Sequence, residues 1–322
     1  MTDTISQLLW LGLIPAVPAL LIVYRGLSHY PALSTDMTLS WAVLALFKLW
    51  ILKQVVQKCL GLLRIGGLDR RAVFITGCDT GFGNLLALKC LSHGMPVYAG
   101  CLTEKGAAAL RDAARSLPGR LETIIVDVGD DESVQKAAAH LEKATVQYGG
   151  LHGVVNNAGI RGTSFFDDML TTSDYKKAAE VNTYGVIRVT QATKHLVKKT
   201  RGRIVTVASI CARVGIVGLG PYTVSKYAAT GYCEVIRQEL QCFGVSVHIL
   251  EPGFFITPLI DQGNIQTCLD DLWKRVPKSV KEEYGEKFFH QSFESAAAML
   301  HKISSPRVDL VVDAYFHALT AR

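Results

Sequence analysis

Beginning at Ala72, short unbroken apolar runs alternate with longer stretches whose apolar residues recur every three or four positions. The runs A-V-F-I-T (72–76), P-V-Y-A-G-C-L (96–102), L-E-T-I-I-V-D-V (121–128), L-H-G-V-V-N-N-A-G (151–159), G-R-I-V-T-V-A-S (202–209) and V-S-V-H-I-L-E-P-G (245–253) read as strands. Helices are predicted over 81–93, 104–115, 130–147, 173–199, 222–243 and 308–321. A sheet wetted on one side would show polar and apolar residues in turn, whereas continuous runs imply burial on both faces. Strands and helices in strict alternation predict an α/β fold, a doubly wound parallel sheet. One domain over 71–322 accounts for the whole pattern, which holds no internal repeat and no low-complexity tract.

Ahead of that domain the pattern changes. Residues 5–24 (ISQLLWLGLIPAVPALLIVY) carry no formal charge and as a helix would span roughly 30 Å, about one bilayer core. Pro15 and Pro18 weaken a soluble helix but are tolerated in a membrane. A cleaved signal peptide would want a basic start, and only Asp3 precedes the apolar run, so an N-terminal membrane-anchor helix is expected. A second apolar block, 39–63, is broken by Lys48, Lys53 and Lys58, whose spacing walks round a helix. That suits an interfacial helix with snorkelling lysine tips better than a second span. One span favours a cytoplasmic domain and two favour the opposite face, so the sequence leaves the face open. Residues 1–70 are expected to contact membrane lipid.

Composition adds three points. The apolar content is 49% and the charged content 19%, and the apolar surplus lies in those first residues. The net charge of +6 owes much to Arg25, Lys48, Lys53, Lys58, Arg64, Arg70 and Arg71, which anionic lipid explains. No basic stripe with interleaved aromatics follows, so nucleic acid is not an expected partner. The eight cysteines include no C-x-x-C pair and have no histidine at ligand spacing, which predicts reduced core thiols and no metal.

Two short stretches carry candidate chemistry. The first predicted strand runs into T-G-C-D-T-G-F-G (76–83), where glycines allow a tight turn and the following helix offers free N–H groups to a pyrophosphate. In Y-T-V-S-K (222–226), a phenol and an ammonium four residues apart fall on one side of a helix.

The glycine spacing T-G-x-x-x-G-x-G resembles that of the short-chain dehydrogenase/reductase family, over about residues 70–260. N-N-A-G (156–159), Asn182, Ser209, Tyr222, Lys226 and P-G-F-F-I-T (252–257) match further family motifs in order. The resemblance implies a Rossmann-type sheet and a catalytic four of Asn182, Ser209, Tyr222 and Lys226. Tyr222 would be the general acid/base, its pKa lowered by Lys226, and Ser209 would hold the reacting oxygen. Lys226 would also bind the nicotinamide ribose, and Asn182 would secure a water that links it to solvent. The resemblance further implies cofactor contacts at Thr76, Gly77, Asp79, Thr80, Gly81, Phe82 and Gly83 in the glycine turn. Asp127 and Val128 would flank the adenine, with Asn156, Ala158, Gly159, Pro252, Gly253 and Thr257 nearer the nicotinamide. Asp79 would repel a 2′-phosphate, so NAD is expected over NADP, although Cys101 stands where many NAD binders place an acid.

G-C-D-T-G-F-G together with A-G-C-L-T narrows the resemblance to the membrane-bound retinol and hydroxysteroid dehydrogenases, a group that includes a 3-hydroxybutyrate dehydrogenase. It implies an endoplasmic-reticulum membrane enzyme, a mitochondrial one being the alternative, and pairing of two copies through helices 173–199 and 222–243. It also implies a helical lid within about 260–305, here centred on 272–289, over a pocket lined by Phe254, Phe255 and Leu259. The expected reaction is NAD-dependent oxidation of retinol or a hydroxysteroid. One alternative is a small hydroxy acid such as 3-hydroxybutyrate, with Arg161 or Arg213 binding its carboxylate. Another is a catalytically silent membrane protein that binds NAD. Members of the group continue past the last helix with another strand, where this sequence stops at Arg322, so either it is part of a longer chain or its pocket is more open.

Overall fold

The computed structural model describes residues 37–260 and 262–322. They divide into two compact units, one ending at Gly66 and including Thr320–Arg322, the other Gly67–Leu319. In the first, helix α1 (Met37–Leu62) leaves large apolar side chains such as Leu46, Leu49 and Leu52 exposed, and Phe47 stacks on Trp50 at 5.9 Å. Among the described residues no helix is long and apolar enough to cross a membrane. The predicted anchor, 5–24, lies outside the described residues.

The second unit is built on six parallel strands, β1 (Val73–Thr76), β2 (Val97–Cys101), β3 (Leu121–Ile125), β4 (Gly153–Asn156), β5 (Arg203–Val207) and β6 (Ser246–Leu250). Their order is β3-β2-β1-β4-β5-β6. Crossovers are supplied by α2 (Gly81–Ser92), α3 (Glu104–Ala113), α4 (Asp131–Ala144), the pair α5 (Thr172–Ala179) and α6 (Gly185–Thr200), and α7 (Gly220–Gln241). Successive strand residues point to opposite faces, so the apolar runs feed two cores. Phe74, Tyr98, Val154 and Ile204 meet Leu141, Leu196 and Ile236 on one side. Ile75, Ala99, Val155 and Val205 meet Leu86, Leu110, Tyr315 and Phe316 on the other. The chain reverses its winding between β1 and β4, which opens a crevice beyond their carboxyl ends.

The predicted strands run past the observed ends, by three residues at β3, β4 and β6, and side-chain hydrogen bonds mark the first two of these exits. Asp127 Oδ1 accepts from Gly129 N at 2.8 Å and bends the chain away after β3. Thr76 Oγ1 accepts from Asn157 N and Ala158 N, both at 3.1 Å, and pulls the chain out of register after β4. The predicted helix 173–199 is interrupted by a wider π turn, Glu180–Tyr184, between α5 and α6. The predicted lid proves to be three helices, α8 (Gln262–Arg275), α9 (Lys278–Tyr284) and α10 (Glu286–Ile303), before the final α11 (Val308–Thr320).

The lid has its own apolar cluster, in which Leu269, Leu272, Val276 and Phe289 pack on Phe165 and Met169 of the body. One ion pair ties it down: Arg275 donates two hydrogen bonds to the buried Asp174, at 2.9 and 2.6 Å. Burial works to raise the Asp174 pKa, but the bonds from Arg275 and Thr171 outweigh it and hold the carboxyl at about 2.

Candidate active site

The glycine turn is pressed against the loop after β4. A Cβ on Gly77, whose φ is +69°, would lie 2.8 Å from Ala158 Cα, and one on Gly83 would lie 2.4 Å from Asn157 Nδ2. Gly81, at φ +66°, has only Pro258 Cδ within reach, at 4.0 Å. Thr80 caps α2 without a side-chain hydrogen bond, and no acidic residue occupies its first turn. The leading N–H groups therefore stay available to an anion, so the turn fits a pyrophosphate.

Asp79 turns away from that helix tip. Its carboxylate accepts from Leu102 N (2.8 Å), Thr103 N (3.0 Å) and Thr103 Oγ1 (2.8 Å), just past β2. A negative charge thus stands at the end of β2, where the sequence showed only Cys101. Cys101 is itself buried, and its thiol is pushed up to about 11 by burial first and by Asp79 second.

The neighbouring asparagines split their duties. Asn157 donates to the carbonyls of Thr76 (2.8 Å) and Gly77 (3.1 Å) and accepts from the Tyr315 hydroxyl (3.0 Å). Asn156 points beneath the sheet, where its amide donates to Thr190 Oγ1 (2.9 Å) and Thr206 Oγ1 (3.3 Å). Sequence reasoning named Asn156 and missed Asn157, although strand alternation required the two to face opposite ways. Thr76 supports the same junction from within β1, while Asp127 and Val128 lie on the turn after β3, with Val128 buried against Gly185.

Ser209, Tyr222 and Lys226 line one cavity. Ser209 sits two residues beyond β5 in extended backbone, and Tyr222 lies in the first turn of α7, which Pro221 starts. Lys226 is buried, donates to Val207 O at 2.9 Å, and holds its ammonium 5.6 Å from the centre of the Tyr222 ring. Asn182 is fully buried in the π turn. Its Oδ1 accepts from Ile160 N (2.8 Å), and its Nδ2 donates to Ile160 O (2.8 Å) and Ser225 Oγ (3.0 Å). Both of its N–H groups are thus committed, which makes the side chain a clamp between the loop after β4 and α7. A Cβ on Gly159 would lie 3.1 Å from Asn182 Oδ1 and 3.5 Å from Lys226 Nζ, so glycine is what lets this backbone pass.

The electrostatics differ from the sequence expectation in one respect. Burial pushes the Tyr222 phenol up to about 12, with a hydrogen bond from Ser209 pulling the other way. Burial likewise brings Lys226 down to about 8. Desolvation penalises charge on both groups, and on the phenol it outweighs the hydrogen bond from Ser209.

The remaining wall is apolar. The cavity measures about 610 Å³ and takes Phe254, Phe255 and Leu259 from the segment after β6, with Pro252, Gly253 and Thr257 beside them. Phe82 joins it from the glycine turn, in edge contact with Phe255 at 5.8 Å. Lid residues Leu269, Phe293, Ala296 and Met299 close the far side. Ser305 holds the segment after β6 in place, donating through its N–H to Phe254 O at 2.9 Å and accepting at its carbonyl from Ile256 N at 3.0 Å.

A family model described as short chain dehydrogenase matches residues 71–266. The chain belongs to that family. Retinol dehydrogenase 7 of Rattus norvegicus is 41% identical over 279 residues, covering 87% of this chain and 85% of that one. The 17-beta-hydroxysteroid dehydrogenase type 6 of Mus musculus is 42% identical over 257 residues, covering 80% and 79%. Among solved structures, a short chain dehydrogenase/reductase from Burkholderia phymatum in complex with NAD is similar, with a TM-score of 0.64 and 22% identity. It covers 79% of this chain and 87% of its own and attests the fold. This short-chain dehydrogenase is thus an alcohol oxidoreductase dependent on a nicotinamide dinucleotide.

Proposed function

We propose that this short-chain dehydrogenase oxidises a lipophilic secondary or allylic alcohol, of the retinol or hydroxysteroid class, with NAD as the coenzyme. The observation that carries the reading is a Ser209–Tyr222–Lys226 group, with Ser209 and Lys226 buried and Tyr222 half-buried, set in the wall of a mostly apolar cavity of about 610 Å³. A cavity of that size and lining suits a ring system or a polyene. The names of the two relatives above, a retinol and a hydroxysteroid dehydrogenase, support the same class.

Each residue has a task in that reaction. When bound, the oxidised nicotinamide supplies the acceptor for a hydride and its electron pair, and the alcohol becomes a carbonyl. Ser209 hydrogen-bonds the alcohol oxygen and presents it to the phenol. Tyr222 takes the hydroxyl proton. A phenol at about 12 is a poor base until something favours its anion, and Lys226, 5.6 Å from the ring centre, stands where its charge does so. Asn182 positions rather than reacts, joining Ile160 to Ser225, the residue before Lys226.

The preference for NAD is supported by the Asp79 carboxylate, held at the end of β2 by three hydrogen bonds. A 2′-phosphate there would face a like charge. Membrane attachment is supported by the uncharged stretch 5–24 and by the exposed apolar side chains of α1. The domain division at residue 70, the endoplasmic-reticulum location and the pairing of two copies belong to the same proposal.

Retinol, neutral hydroxysteroids and 3-hydroxybutyrate offered to the detergent-solubilised chain with NAD or NADP will decide the matter. Turnover of the lipophilic alcohols with NAD is expected, and turnover of 3-hydroxybutyrate alone would defeat the reading.

A further inference from the structure

One charged group in the cavity wall has no part in the chemistry above. Arg161 and Lys226 are the only charged residues that line it among the described residues. Lys226 is spent on Val207 O and on Tyr222. The Arg161 guanidinium, among the described residues, has no hydrogen-bond acceptor and no carboxylate partner. Arg213, the other arginine with a claim on a substrate carboxylate, is paired with Glu251 at 2.8 Å and stands outside the cavity lining.

A guanidinium cannot shed its proton to escape burial. Its surroundings desolvate it, and the pKa of Arg161 is lowered for that reason. Arg161 is half-buried, and leaving such a cation unpaired against a mostly apolar wall costs free energy, which a ligand carrying a complementary anion recovers. The planar fork of five donors matches a planar carboxylate through two parallel hydrogen bonds.

The root of Arg161 is held firmly. The residue before it, Ile160, is gripped through both its N–H and its C=O by Asn182. The residue after it, Gly162, turns at φ +67°, and a Cβ there would meet Ala178 at 3.2 Å. Through Ser225 the same Asn182 touches α7 beside Lys226. The backbone that carries the cation therefore stands in a set relation to the reacting groups.

We infer that the preferred substrate is a hydroxylated lipid that also bears a carboxylate, and that Arg161 binds this carboxylate while the lipid body fills the cavity. The inference rests on the lipid-alcohol reading and narrows it. It also merges two alternatives left open by the sequence, since the substrate is at once lipophilic and a hydroxy acid.

The test compares acids with their own methyl esters: lithocholate against methyl lithocholate, and 12-hydroxystearate against methyl 12-hydroxystearate. Retinol and a neutral hydroxysteroid serve as references, and the enzymes are the wild type, Arg161→Met and Arg161→Lys. At least one acid should exceed its ester in kcat/KM by about thirtyfold in the wild type, through KM. Arg161→Met should collapse that ratio toward one, and Arg161→Lys should restore part of it. The same acid, with NADH present, should raise the Tm of the wild type and not that of Arg161→Met, which reads binding apart from turnover. If neutral alcohols are oxidised but acids and esters perform alike, or if Arg161→Met leaves the ratio intact, the assignment of Arg161 is overturned and the lipid-alcohol reading stands. If no hydroxylated lipid is oxidised in any form, both fall.

Discussion

The floor of the active site and its lid are held by different forces. On the floor, buried polar atoms meet one another at fixed distances: Thr76 with the backbone of Asn157 and Ala158, Asn182 with Ile160 and Ser225, Lys226 with Val207. In the lid, Leu269, Leu272, Val276 and Phe289 pack as a group, and the directional ties to the body are few, the Arg275–Asp174 pair and the Tyr284 hydroxyl on Asp168 among them. Directional contacts tolerate one residue type, because an unpaired buried group costs the full desolvation penalty. Apolar packing tolerates many, provided volume is kept. The floor is thus suited to fixing a reaction, and the lid to varying the substrate.

The sharpest break in that comparison is Tyr222→Phe. It should lower NADH formation by about 10²- to 10⁴-fold and leave the fold intact, and a rate near wild type would strip the floor of its chemistry. Next is Gly83→Ala. Its methyl would lie 2.4 Å from Asn157 Nδ2 and 2.5 Å from Gly77 O, so a loss of about 3 kcal/mol in urea unfolding is expected, with weaker coenzyme binding. Gly231→Ala, in α7 with nothing within 4 Å, is the control and should instead stabilise by up to about 1 kcal/mol.

Lys226→Met tests whether the floor trades stability for function. Burial brings the Lys226 pKa to about 8 in the folded chain from 10.5, so the unfolded chain binds the extra proton between those pH values. Wild-type stability should therefore rise across pH 8 to 10.5. At neutral pH the variant should be inactive yet more stable, by up to about 3 kcal/mol, with the gain fading as pH passes 10. A pH-independent difference between the two would remove desolvation as the cause.

The smallest effect belongs to the lid. The Asp174 pKa is depressed from 3.8 to about 2, so its stabilising contribution is present above pH 4 and lost as pH falls toward 2. Asp174→Asn should remove about 2 kcal/mol at neutral pH and flatten that acid limb, with Trp273 fluorescence as the readout. An unchanged acid limb would mean that the Arg275–Asp174 pair does not retain the lid.

How far each region could be read from sequence follows the same division. The six strands were legible because burial on both faces leaves uninterrupted apolar runs, and the glycine turn because Gly77 and Gly81 need positive φ. Tyr222 and Lys226 were legible because four residues make about one turn. The bidentate pair of Asp174 and Arg275 was not, since the two are 101 positions apart and each alone is an ordinary surface charge. Arg161 was visible only as one of two arginines, and the pairing of Arg213 with Glu251 separates them. Asp79 was read as an obstacle to phosphate, but its three-bond seat on the neighbouring strand end required the tertiary fold.

The wide turn from Glu180 to Tyr184 has a consequence for anyone who would redesign this scaffold. Such a turn holds one more residue than a regular helical turn, so excising a single residue there would straighten the rod. The flanking helices would keep their register, because the wide turn had absorbed the extra residue, but the side chains within the turn would be aimed differently. Asn182 would swing off Ile160, and the seat of Arg161 would come loose from the helix that carries the proton acceptor. The irregular turn is what aims Asn182 at both of its partners.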